Sequence, residues 1–194
     1  MELDIEVETS LPAHYERNLG PIAQGWSDKK SVHGIQIISF VSQPEAGVTT
    51  FATLGLSRFV LKLPGDRDIR QELLVSANDC FSHFEVASFL LCVAESLLDG
   101  KKGLLLGEVI GPGNPVIPGA SARAVYVANP SPFNDSLTQF TSAPPLVFAY
   151  LIPITVDEAF LVRDHGWRWF ENELAEQNPN VWDLGRSEEV LCKG

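Results

Sequence analysis

Leu146-Val147-Phe148-Ala149-Tyr150-Leu151-Ile152 is an almost unbroken apolar run, and it stands directly before Pro153 and two short helical stretches. A strand wetted on one face alternates apolar with polar residues. A short run without alternation fits a strand covered on both faces. A chain carrying such a strand therefore needs a sheet with material packed on each side. Pro153 is expected to end the strand, because proline donates nothing to a ladder. Thr155 and Glu158 have capping-box spacing for a helix that Gly166 closes. Trp167, Phe170 and Leu174 share one face of a second helix, stopped at Asn178-Pro179, which places Trp167 in the core and Trp169 at a boundary or interface.

Upstream, Ser10 caps a short helix through Tyr15 and Leu19 that ends at Gly20, and residues 24–33 read as polar loop. Residues 34–40 and 49–56 alternate as strands around the turn chemistry of Gln43-Pro44-Glu45-Ala46-Gly47, so a hairpin is expected. Residues 61–68 contain a break and 71–77 a further strand. The longest helix spans 81–98, with Ser82 and Glu85 at its start and Asp99-Gly100 at its stop. Phe84, Ala87, Leu90, Leu91, Ala94 and Leu98 lie away from its polar stripe of Glu85, Ser88, Cys92, Glu95 and Asp99. Glycine and proline punctuate 107–119 as a structured loop, and 122–128 is another strand. Strands and helices mix without regular alternation, which predicts an α+β fold. At 194 residues and 45% hydrophobic content, one domain with a sizeable core is expected.

The formal net charge is -11 and the isoelectric point about 4.7, a field that repels a phosphate backbone and argues against a nucleic-acid partner. It suits a basic protein partner, or solubility alone. Cys80, Cys92 and Cys192 form no CxxC pair, which fits a reducing cytoplasm and gives zinc no ligand set. Glu2, Asp4, Glu6 and Glu8 after Met1 oppose a signal-peptide start, and no apolar run approaches the ~20 residues of a membrane span. A cytoplasmic location is expected.

Catalytic patterns are weak. Gly55-Leu56-Ser57-Arg58-Phe59 falls short of a nucleophile elbow because Phe59 replaces the closing glycine. Asp164-His165-Gly166 offers half of an acid–base or metal site, but His14, His33, His83 and His165 form no i, i+4 pair. The dipole at a helix C-terminus accounts for His165 more simply. Gly107-Glu108-Val109-Ile110-Gly111-Pro112-Gly113 lacks the G-K-[ST] close of a phosphate loop, and Glu108 would repel phosphate. No pattern asks for a metal or another cofactor.

Several pieces in order carry a resemblance. Thr50-Phe51-Ala52-Thr53-Leu54-Gly55-Leu56-Ser57, Glu72-Leu73-Leu74-Val75-Ser76, Gly107-Glu108, Leu151-Ile152-Pro153-Ile154-Thr155 with Asp157-Glu158, His165-Gly166-Trp167 and Trp182-Asp183-Leu184 together resemble the Suppressor of fused family. The resemblance implies a mixed, mainly antiparallel β-sheet packed against helices over residues 34–186, with 1–33 as an N-terminal helix and loop packed on it and 187–194 as a tail. It also implies a protein-binding role. Animal members clamp an extended peptide of Gli-type transcription factors as a β-strand between two domains. The 194 residues leave no room for that second domain, so half of the clamp is expected to be missing. Similar bacterial single-domain members are regarded as immunity proteins that neutralise a co-encoded polymorphic toxin.

The family's acidic residue after the glycine, which helps hold the peptide, corresponds to Glu108. A family aromatic contact falls near Ser96, a departure. The expected partner-binding residues are Glu108, Asp164, His165 and Trp169. The expected function is binding and neutralisation of a basic toxin domain. A general peptide-binding adaptor working by strand addition is the alternative, and a hydrolase the third reading.

Overall fold

The computed structural model describes residues 10–28 and 31–186, so the expectations for the first eight residues, Cys192 and the 187–194 tail lie outside the described residues. The elements run α1 (Leu11–Leu19), β1 (Gln24–Ser27), β2 (Gln36–Val41), β3 (Val48–Leu54), β4 (Leu61–Leu63), β5 (Arg67–Asn78), α2 (His83–Gly100), β6 (Val109–Ile110), β7 (Ala124–Ala128), β8 (Leu146–Ile154), α3 (Val156–His165) and α4 (Trp167–Gln177). Strands pair in the order β1-β2-β3-β5-β8-β7-β6, with β4 added beside β5. Every pairing is antiparallel except β5 with β8, where Arg70 meets Leu146 and Val75 meets Leu151. A parallel pair needs a long crossover, which α2 and the β6–β7 region supply. The expected α+β fold with a mixed, mainly antiparallel sheet against helices is what forms.

Core side chains divide between the two faces of the sheet. Phe51, Leu73, Val75, Val127 and Leu151 meet Val86, Leu90 and Ala94 of α2. On the other face Phe40, Tyr126, Phe148 and Tyr150 meet Tyr15 of α1, Ala159 of α3 and Phe170 of α4. The central strands β3, β5 and β8 are therefore buried on both sides, as the unbroken apolar run of β8 requires.

The local stops and starts follow the sequence. The Ser10 hydroxyl accepts from Ala13 N, and Gly20 turns out of α1 at φ 83. Thr155 and Glu158 form the reciprocal capping box of α3. Asn178 ends α4 in the left-handed region at φ 43.

Several expectations need correcting, the first that 107–119 is loop throughout, since Val109–Ile110 pairs with β7 as β6. Residues 24–27 are strand rather than loop, because β2 offers them a ladder in which Trp26 meets Ile37. Pro153 lies inside β8, opposite Val125, where the β5 ladder has already ended at Leu151 and a missing N–H costs nothing on that edge. Gly100 is still helical, and Lys101 takes the left-handed cap at φ 51. Phe84, in the first turn of α2, is 68% exposed rather than core.

Candidate functional site

Two adjacent residues of β5 hold two loops from opposite faces of the sheet. The Gln71 amide is buried; its Nε2–H donates to the Leu104 carbonyl (2.9 Å) and its Oε1 accepts from Leu104 N (2.8 Å). This pins the chain that leaves α2. On the other face the Glu72 carboxylate, fully buried, accepts from Gly55 N (3.1 Å), Ser57 N (2.9 Å) and the Thr53 hydroxyl. Burial pushes the Glu72 carboxyl above the ordinary glutamate value, and the bonds from Ser57, Thr53 and Gly55 pull it back part of the way. Ser57, the serine of the incomplete elbow, thus belongs to a carboxylate-bound turn.

Beyond Leu104 the loop reaches β7. Gly107 N donates to the Val127 carbonyl (2.8 Å), and Val127 N donates to the Glu108 carbonyl (2.9 Å). The Glu108 carboxylate turns back into the loop, where Oε1 takes the Lys102 ammonium at 2.9 Å and Oε2 accepts from Leu105 N at 3.0 Å. Its side chain is 25% exposed. Glu108 therefore shapes the loop as well as presenting charge at its surface.

The corner between α3 and α4 meets this loop. Gly166, at φ 86, ends α3 and begins α4, so Trp167 is set down against Gly107. Trp167 is 45% exposed rather than core, and Leu106 beside Gly107 is 48% exposed. Phe160, 39% exposed, stands one helical stretch back with the Arg163 guanidinium 4.7 Å from its ring centre. Arg168 covers the Trp167 ring at 5.2 Å. Between β6 and this corner lies a hollow of about 440 Å³ walled by Val109, Pro112, Ala159, Phe160 and Trp167. β6 is the terminal strand of the sheet order, so its outer side carries no further strand among the described residues.

The expected site residues come together in part. Asp164, His165 and Glu108 all lie within three residues of the contact between Gly107 and Trp167. Asp164 is exposed and paired with its neighbour Arg163 at 3.1 Å. His165, also exposed, lies against the Trp169 ring with centres 4.5 Å apart. Trp169 turns toward the core and packs on the cluster around Phe170. Trp167, which helical spacing assigns to the interior, reaches solvent at this corner together with Phe160. The spacing rule finds residues that share a face, but Trp167 opens α4 at the margin of the sheet, over Gly107.

Among the described residues no group of three or more His, Cys, Asp or Glu side chains is placed to hold a metal, and Cys80 and Cys92 are free and exposed. No described helix is long and apolar enough to cross a membrane. The described residues form an α+β domain with an aromatic corner beside the end strand of its sheet.

The Suppressor of fused protein family model matches residues 31–187, and the chain belongs to that family. Comparison with curated proteins finds no match. Among solved structures, a Suppressor of fused homolog from Neisseria gonorrhoeae FA 1090 is similar at 18% identity and a TM-score of 0.70, covering 91% of each chain. A chain of the Sufu–Fu complex is similar at 13% identity and a TM-score of 0.67, covering 91% of this chain and 89% of that one. Drosophila Suppressor of Fused matches at 14% identity and a TM-score of 0.56 over 80% of this chain, which spans 42% of the fly protein.

Proposed function

We propose that this chain is a protein-binding module, and that it serves as an immunity protein which docks and neutralises a basic, co-encoded bacterial toxin domain. The observation that carries the reading is the aromatic corner, where Trp167, Phe160 and Leu106 reach solvent beside the end strand β6. Tryptophan in a partly enclosed setting is the residue type that most often anchors a protein interface. The net charge of -11 gives encounter with a basic partner a long-range pull and disfavours acidic ones. A similarly folded chain held in a complex with Fu gives the binding role a precedent within the fold. Glu108, Asp164 and His165 extend the proposed contact surface around the same corner, with Trp169 supporting it from beneath the His165 ring.

Co-expression with each toxin encoded beside the gene tests the proposal. Growth rescue by one of them, lost on changing Trp167 to alanine, is the expected result. Absence of rescue across all of them overturns the immunity role.

A second reading, an adaptor that adds a partner strand to its sheet, is favoured by the two-residue β6, whose outer backbone edge borders the hollow. It requires several partners sharing one extended segment, and a synthetic peptide of that segment must compete with each of them. A single dominant toxin partner excludes it.

A further inference from the structure

A second concavity, on the α1/α3/α4 side of the sheet, takes no part in the corner described above. Tyr126 of β7 and Tyr150 of β8 line it, Glu171 and Leu174 of α4 form a wall, and Trp182 closes one end. With Glu45 at the rim, these enclose about 670 Å³, within the ~300–1,000 Å³ range of ligand clefts.

Two hydrogen bonds order the polar groups inside it. The Tyr126 hydroxyl donates to Glu171 Oε1 at 2.9 Å, and the Trp182 indole N–H donates to the Tyr150 hydroxyl at 2.9 Å. The Tyr126 hydroxyl and the Trp182 indole N–H are thus engaged within the cleft. The charged groups that line the space are the Glu171 and Glu45 carboxylates, beside aromatic faces and the neutral polar side chains of Asn129, Ser131, Asn178 and Asn180. Neither glutamate side chain is ion-paired to a lysine or arginine among the described residues. The rings are held in place from behind, Tyr126 against Phe170 at 5.0 Å and Tyr150 edge-on to Phe133 at 5.8 Å. Burial together with the neighbouring Glu171 charge holds the Tyr126 phenol well above its ordinary value, so its proton stays in place to orient that carboxylate.

We infer that this cleft is a binding site for an organic cation, an ammonium or guanidinium on an apolar stem, whose charge meets Glu171 while its stem lies along Leu174 and the tyrosine and tryptophan rings. An anion would face the Glu171 and Glu45 carboxylates, and a neutral apolar molecule leaves Glu171 without a partner. A cation gains a charge-assisted bond and aromatic faces together. The same chemistry is offered by a free alkylamine or alkylguanidine and by a lysine or arginine side chain of a bound protein.

The test follows the Trp182 indole N–H by NMR in the intact protein. Three probes are titrated separately: n-butylguanidinium, a short blocked peptide with one central arginine, and n-butylurea as the neutral shape match. A saturable shift with either cation and none with butylurea is expected, and Glu171→Gln, which still accepts from Tyr126, should weaken cation binding about tenfold. Binding of butylguanidinium alone identifies a free small cation as the ligand, and binding of the peptide alone identifies a partner's basic side chain. Equal shifts with butylurea, no saturable shift with either cation, or unchanged affinity in Glu171→Gln with a native spectrum each overturn the inference. The comparison of butylguanidinium with butylurea on the unaltered protein decides the matter even if the variant does not fold.

Discussion

Trp167 lies directly on the bare backbone of Gly107: a Cβ at Gly107 would come within 2.9 Å of the Trp167 Cβ and Cγ. Gly107 also sits at φ 83, where a side chain adds strain of about 1–2 kcal/mol. One glycine thus lets a solvent-facing aromatic and the loop carrying Glu108 share a single corner. Gly107→Ala should lower unfolding free energy by about 1–3 kcal/mol through strain and displacement of Trp167. Urea denaturation checks it, and an unchanged midpoint would mean that the ring does not rest there.

Trp167 and Trp169 should separate binding from stability. Trp167→Ala removes an exposed ring and is expected to cost partner affinity about 2 kcal/mol or more, with little loss of stability. Trp169→Ala opens packing around Phe170 and should lower stability by about 1–3 kcal/mol as well as disturb His165. Calorimetric binding paired with thermal denaturation of both variants distinguishes the two patterns.

Glu108→Lys should weaken binding of the partner while leaving the protein folded. The exposed pair with Lys102 is itself worth no more than about 1 kcal/mol, so the fold survives its loss. Affinity measured at two salt concentrations should show the larger defect at low salt, where an added like charge is felt most. Unchanged affinity would assign Glu108 to loop architecture alone.

Glu72 gives stability a pH dependence of definite sign. Its carboxyl is raised in the folded state, so the native protein binds that proton more tightly than the unfolded chain does. Stability from this group is complete below the ordinary glutamate range and declines as pH climbs through the raised folded value. Glu72→Gln keeps an acceptor for Gly55 and Ser57 and should flatten that decline. Chemical denaturation across the acidic to neutral range is the measurement, and an identical slope in both proteins would count against the assignment.

Arg186 reaches back to Glu158 with Nη2 at 2.6 Å from Oε2, both side chains almost fully buried. Glu158 Oε2 also accepts from Thr155 N at 2.8 Å, so the pair anchors the start of α3. Arg186→Met strands a buried carboxylate and should destabilise by about 3–5 kcal/mol. Adding Glu158→Gln to that variant should recover part of the loss, which a double-mutant cycle by thermal denaturation would detect.

Much of the fold was legible because the deciding interactions are local. Ser10 and Gly20 bound α1, Thr155 and Glu158 cap α3, and the run from Leu146 announces a strand covered twice. Residues 24–27 were not legible, since four polar-flanked residues become strand only when β2 lies beside them. Of the candidate site, Glu108, Asp164 and His165 fall near one corner, Trp169 is half-buried at a boundary, and Trp167, read as core, is exposed. Gln71 and Glu72 gave no signal as loop anchors, because their partners lie 33 and up to 19 residues away.

By itself the sequence determined the helices and the longer strands, and that the sheet must be covered on both faces. Capping, turn chemistry and hydrophobic period act over a few residues, and a single chain displays them directly. Tertiary structure alone decided which strand became the free edge, which tryptophan met solvent, and where buried Glu72 and Glu158 found their partners. Those outcomes depend on close approaches such as Trp167 upon Gly107, between residues far apart in the chain, and such contacts exist only once the sheet has brought them together.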